Sequence, residues 1–203
     1  MKYRRFPLLS RGMVRQGHDL LAGMALVYAV ASVGCSSQLD PPDRYAPEDA
    51  AQRALETYDT DQNGQLSGGE IEQSPALATA MDRIDSNNDG KLSSAEIAER
   101  LKAYDTQAST VPLSVRVRLG TRPLEMATVE FVQEEFAVAE PKAYSGISDS
   151  LGAVSLATEG KSVGGLPVGL YRVTITRAGG EEYVRGVEVA EDSPDGTRIV
   201  FSL

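Results

Sequence analysis

Asp59-Thr60-Asp61-Gln62-Asn63-Gly64-Gln65-Leu66-Ser67-Gly68-Gly69-Glu70 returns 26 residues later as Asp85-Ser86-Asn87-Asn88-Asp89-Gly90-Lys91-Leu92-Ser93-Ser94-Ala95-Glu96. An internal repeat is read before any single element, because it sets the organisation of everything around it. Both copies place oxygen-bearing side chains at alternate positions, then a glycine, a leucine, a serine and a closing glutamate. The flanks repeat as well. Ala51, Ala54, Leu55 and Tyr58 recur at helical spacing ahead of the first copy, after the helix start Pro47-Glu48-Asp49. Leu77, Ala80, Met81 and Ile84 do so ahead of the second, with Ser74 as N-cap and Pro75 as the first helical residue. Ser93-Ser94-Ala95-Glu96 spells a capping box into a helix carrying Ile97, Leu101 and Tyr104.

Both segments resemble the calcium loop of the EF-hand family. That resemblance implies side-chain ligands at loop positions 1, 3 and 5, here Asp59, Asp61 and Asn63, and Asp85, Asn87 and Asp89. A hard cation wants several such oxygens at about 2.4 Å, and alternate spacing turns them inward. Gly64 and Gly90 fall at position 6, where the chain turns sharply. Gln65 and Lys91 at position 7 would give their backbone carbonyls, and Ser67 and Ser93 at position 9 would act directly or through water. Glu70 and Glu96 would close the loops as bidentate ligands. Leu66 and Leu92 stand where paired loops exchange a short antiparallel bridge. The expectation is two Ca²⁺ ions. Gly68 and Gly69 each cost about 0.5–1 kcal/mol relative to Ala in the exit helix of loop one, so loop two is expected to be the tighter site. Dockerin modules also carry duplicated calcium loops. The incoming helix at 47–58, and Glu rather than Asp at position 12, favour the compact EF-hand pair.

After Tyr104 the pattern changes. Residues 107–112 read as a connector, and beyond them the period is two. Leu113, Val115, Val117 and Leu119 alternate with polar residues. So do Ala127, Val129 and Phe131, then Tyr171, Val173 and Ile175. Val154 with Leu156, Val187 with Val189, and Ile199 with Phe201 and Leu203 mark shorter strands. Six or seven strands at this spacing predict a β-sandwich. Arg122-Pro123-Leu124, Ser148-Asp149 before Gly152, and Leu166-Pro167-Val168-Gly169-Leu170-Tyr171-Arg172-Val173 resemble the transthyretin-like, or carboxypeptidase regulatory-like, domain family. Such domains usually carry no catalytic residues, and none is evident here. A carbohydrate-binding or enzyme-accessory role, the alternative reading, requires exposed aromatic platforms. There is no Trp. Tyr171 falls in a core pattern, which leaves Tyr144 and Tyr183, both expected to pack in the core or at an edge.

Lys2, Arg4, Arg5, Arg11 and Arg15 precede an apolar run from Leu20 to Val33, which ends at Gly34-Cys35. The run is too short for a comfortable membrane span and has the layout of an export signal. It resembles a bacterial lipoprotein signal, which implies lipidation of Cys35. Cleavage after residue 34 would leave 15 basic and 28 acidic residues of the 20 and 29 in the whole chain, and would remove the one histidine, His18. A Ser–His–Asp triad, a Cys–His pair and a Cys/His zinc site are then excluded. The acidic balance speaks against nucleic acid as a partner.

The expected organisation is therefore multidomain: signal 1–34, tether 35–46, an all-α EF-hand pair at 47–106, linker 107–112, and an all-β transthyretin-like sandwich at 113–203. Function is expected to be calcium binding in an exported, lipid-anchored envelope protein, not an enzyme, with an envelope protein or a glycan as partner of the sandwich.

Overall fold

The computed structural model describes Leu39, residues 42–194 and residues 197–203. The expected signal segment, Cys35 and most of residues 35–41 lie outside the described residues. Helix α1, Pro47–Tyr58, begins with proline at its first turn beside Glu48 and Asp49, acids that suit the positive end of a helix dipole. Its Ala50, Ala51, Ala54 and Leu55 form one buried stripe. Strand β1, Gln65–Ser67, leads into the single turn α2, Gly69–Glu72. Helix α3, Pro75–Ile84, is capped as its sequence predicts: Ser74 Oγ accepts the Leu77 N–H at 3.3 Å. Strand β2, Lys91–Ser93, runs into α4, Ser94–Ala103, whose start is the expected capping box between Ser93 and Glu96. A 3₁₀ turn at Tyr104–Thr106 follows.

The strands then come in quick succession. They are β3 (Thr110–Pro112), β4 (Ser114–Leu119), β5 (Arg122–Pro123), β6 (Thr128–Gln133), β7 (Ala143–Ile147), β8 (Ala153–Val154) and β9 (Ala157–Thr158). After these come β10 (Lys161–Ser162), β11 (Gly165–Pro167), β12 (Gly169–Thr176), β13 (Glu182–Val189) and β14 (Arg198–Ser202). The largest sheet is antiparallel, in the order β10-β9-β7-β6-β12-β13. A second has the order β14-β4-β5, with β8 also on β4, and its β14–β4 pairing is parallel. Strand β3 pairs with β11, so part of the expected linker is paired backbone. Phe131, Tyr144, Tyr171 and Phe201 join the sheets through ring contacts at 6.0–6.3 Å. The Tyr171 hydroxyl donates to the Pro167 carbonyl at 2.8 Å, which keeps a fully buried phenol paired.

The expectation of an all-α pair followed by a separate all-β sandwich is corrected by this arrangement. Among the described residues strands dominate, fourteen against four α-helices. The chain from Leu39 onward is one compact unit, and a single hydrophobic core runs from Ala50 in α1 to Phe201 in β14. The reason is the size of the helices, which have 12, 4, 10 and 10 residues. Elements this short cannot bury enough apolar surface among themselves, so they complete their core on the sheet. Helix α3 lies so close to β13 that a Cβ on Gly186 would stand 1.8 Å from the Pro75 carbonyl oxygen. Thr79 Oγ1 donates to the Gly186 carbonyl at 3.2 Å across the same contact.

Candidate metal centre

The two repeated loops have matching geometries. In loop one, the Asn63 N–H donates to Asp59 Oδ1 and to Asp61 Oδ1, both at 3.1 Å, and the Gly64 N–H donates to Asp59 Oδ2 at 2.8 Å. In loop two, the Asp89 N–H donates to Asp85 Oδ1 at 3.2 Å and to Asn87 Oδ1 at 2.8 Å, and the Gly90 N–H to Asp85 Oδ2 at 2.9 Å. These bonds wrap the backbone around the side-chain oxygens, each of which keeps further acceptor capacity. Gly64 and Gly90 have φ of +83° and +77°, a left-handed turn that a Cβ would strain. The position 5 side chains, Asn63 and Asp89, accept the N–H groups of Gln65 and Lys91 at 2.9 Å in both loops.

The closing glutamates stand at the same position of the repeat, each in the helix that follows its loop. Glu70 Oε1 accepts the Thr60 N–H at 2.9 Å, and its Oε2 the Ser67 N–H at 3.0 Å. The Ser67 bond is the strongest influence on this carboxyl. Burial opposes it, Asp61 and Thr60 add to it, and the net effect lowers the pKa. Glu96 Oε2 accepts the Ser93 N–H at 2.9 Å and the Ser93 hydroxyl at 2.7 Å. Here burial is the largest influence and raises the pKa, but the bonds from Ser93, Asn87 and Ser86 outweigh it and the carboxyl is also lowered. Both glutamates are thus held in the anionic form that a cation requires. Strands β1 and β2 pair antiparallel with Leu66 opposite Leu92, as the sequence predicts, so the loops are joined back to back.

Carboxylate oxygens of Asp59, Asp61 and Glu70 lie within 4.8 Å of one another, the one such group of three among the described residues. Asp85, Asp89 and Glu96 are not drawn together to that degree. In both loops the donor set is entirely oxygen, with no imidazole or thiolate, which suits a hard cation such as Ca²⁺ over zinc or copper. Position 3 is Asp61 in one loop and Asn87 in the other, so the carboxylates are distributed differently around the two centres. Thr60, which donates to Glu70 through both its N–H and its hydroxyl, is a contributor that the spacing of ligands does not reveal.

The tyrosines of the strand region are buried or half-buried. Tyr144 is fully buried, Tyr171 likewise, and the half-buried Tyr183 donates to Glu181 Oε1 at 2.6 Å. Among the described residues no helix is long and apolar enough to cross a membrane.

No family model matches the chain, and no curated protein matches it. Among solved structures, (S)-allantoin synthase is similar at 16% identity and a TM-score of 0.30, over 75% of this chain and 66% of that one. A 9R-lipoxygenase from Cyanothece PCC8801 is similar at 13% identity and a TM-score of 0.26, over 65% of this chain and 22% of the other.

Proposed function

We propose that the chain binds two calcium ions, one in Asp59–Glu70 and one in Asp85–Glu96, and that the filled loops brace a strand-rich protein of the cell envelope. The observation that carries this reading is the convergence of Asp59, Asp61 and Glu70 within 4.8 Å. Three carboxylates so close repel one another, and a divalent cation between them removes that repulsion while adding ligand bonds. The ligands assigned to loop one are the side chains of Asp59, Asp61, Asn63 and Glu70 with the Gln65 carbonyl. In loop two they are Asp85, Asn87, Asp89 and Glu96 with the Lys91 carbonyl. Extracytoplasmic modules of this kind bind calcium at about 10⁻⁴–10⁻³ M, so the loops would stay largely filled and act as supports. Calorimetric titration with Ca²⁺ and Mg²⁺ tests this. Two calcium ions per chain are expected, and the absence of heat with calcium would refute the reading.

Export and lipidation at Cys35 complete the proposal, resting on the basic, apolar and Gly34-Cys35 sequence of the N-terminus. Acyl chains at about 0.8 kcal/mol per buried CH₂ would be the strong attachment of so acidic a protein. Cys35→Ala should therefore release it from membranes, and a variant that still sediments with them in high salt would refute the anchor. An envelope protein suits the strand-rich region better than a glycan as partner, because Tyr144 is fully buried and Tyr183 is half-buried.

A further inference from the structure

Each loop is bracketed by two side chains that end on a single buried carboxylate of the sheet. Around loop one, Tyr58 stands just before Asp59 and Ser74 four residues after Glu70. The Tyr58 hydroxyl donates to Glu134 Oε2 at 3.2 Å and Ser74 Oγ to Glu134 Oε1 at 3.1 Å. Around loop two, Arg83 stands two residues before Asp85 and Arg100 four after Glu96. Arg83 Nε lies 3.2 Å from Glu188 Oε2, and Arg100 Nε 2.6 Å from Glu188 Oε1. Ser74 and Arg100 correspond under the repeat, so the same point of each exit is held. Glu134, directly after β6, is 4% exposed, and Glu188, in β13, is 6% exposed. Neither belongs to either of the two cation loops.

We propose that Glu134 and Glu188 are positioning residues for the two cation loops, each tying the entrance and exit of one loop to one sheet carboxylate and so setting that loop's affinity for calcium. This rests on the calcium reading of the loops. A closing glutamate can ligate with both oxygens only when its exit segment is held at the right distance from the entrance. A clamp that fixes this distance beforehand reduces the ordering that binding must impose. The Glu188 clamp is reinforced by Asp192, which takes Arg100 at 3.0 Å and Arg83 at 2.6 Å, and by the Tyr104 hydroxyl at 2.6 Å. Because both flanks of a loop meet the same carboxylate, cation binding stiffens them against the sheet instead of splaying them apart.

The Gly64 and Gly90 amides, which donate to Asp59 and Asp85, report the loops separately in ¹H–¹⁵N NMR spectra of the full chain titrated with calcium chloride. Glu188→Gln should move the Gly90 midpoint by about tenfold and the Gly64 midpoint less, and Glu134→Gln should reverse that order. Arg100→Lys, which keeps its charge, and Tyr58→Phe, which loses one hydroxyl, read the same two clamps where a glutamine variant fails to fold. The same crossed order is expected of them. Unchanged midpoints in folded variants overturn the proposal, as do equal shifts at both amides in all variants, which mark a purely structural role. A wild-type chain silent at both amides overturns the calcium reading itself, and this proposal with it.

Discussion

Glu96 does two jobs with one side chain: it completes the capping box of α4 and is the closing ligand assigned to loop two. Glu96→Gln removes the charge while keeping the cap geometry, so it should abolish or strongly weaken calcium at loop two and leave α4 formed. Through the Leu66–Leu92 bridge it should also weaken loop one, by a coupling of about 1–3 kcal/mol. Calorimetric stoichiometry decides: two ions still bound would reject the ligand assignment, and an unaltered first site would reject the coupling. In the wild type, loop two should be the tighter site. Its exit helix has ten residues and a full cap, whereas α2 has four and its N-cap residue, Gly68, has φ +48° and makes no side-chain cap. Asp192 makes a separate prediction. The Arg100 hydrogen bonds lower its pKa most, burial opposes them, and Arg83 adds to the lowering. A carboxyl depressed in the folded state binds fewer protons there than in the unfolded chain. Its stabilisation is present above the ordinary value of 3.8 and is lost as the pH falls below it. In calcium-free urea titrations at about pH 5 and about pH 3, Asp192→Asn should show a smaller fall in midpoint than the wild type. An equal fall would detach Asp192 from the arginine clamp.

At the scale of elements, the contact that matters most is α3 against β13. It is made possible by Gly186, whose missing Cβ admits the Pro75 carbonyl. Gly186→Ala must push the start of α3 away from the strand, since the obstacle is backbone with no rotamer to move. Forced insertion of this kind costs about 1–3 kcal/mol, which should lower the urea midpoint. It should weaken calcium binding too, because α3 delivers Arg83 and Asp85 to loop two. A variant with wild-type stability would show that α3 does not sit on the strand at this distance. The β1–β2 ribbon has only three residue pairs, too few to stand alone. It persists because Leu66 and Leu92 are both fully buried in the common core.

At the scale of the whole molecule, one core predicts one transition. Thermal unfolding followed by far-ultraviolet circular dichroism and by tyrosine fluorescence should give coincident curves. Calcium should raise both midpoints together, by as much as about 2.7 kcal/mol per site when its concentration is a hundred times the dissociation constant. Chelation should reverse the gain. Two separated transitions, with only the helical one responding to calcium, would indicate a helical half that folds on its own and would contradict the shared core.

The loops and the caps at Ser74 and Ser93 were legible in the sequence because each depends on residues within about a dozen positions, and the Leu66–Leu92 bridge was legible because the two loops repeat at an offset of 26 residues. So were the stripes of β4, β6, β12 and β14, where one face is buried and the period of two survives. Other strands left no such trace. Ala143–Ile147 buries Tyr144 alone, and Gly165–Pro167 is buried throughout, so neither alternates. Tertiary structure alone decided that β14 runs parallel to β4, that Gly186 receives α3, and that Glu134 and Glu188 hold the loop flanks. Each of these joins residues far apart in the chain, and local periodicity carries no information about which faces meet. The physical reason for the merged architecture is the same: four short helices needed apolar partners, and only the folded sheet could provide them.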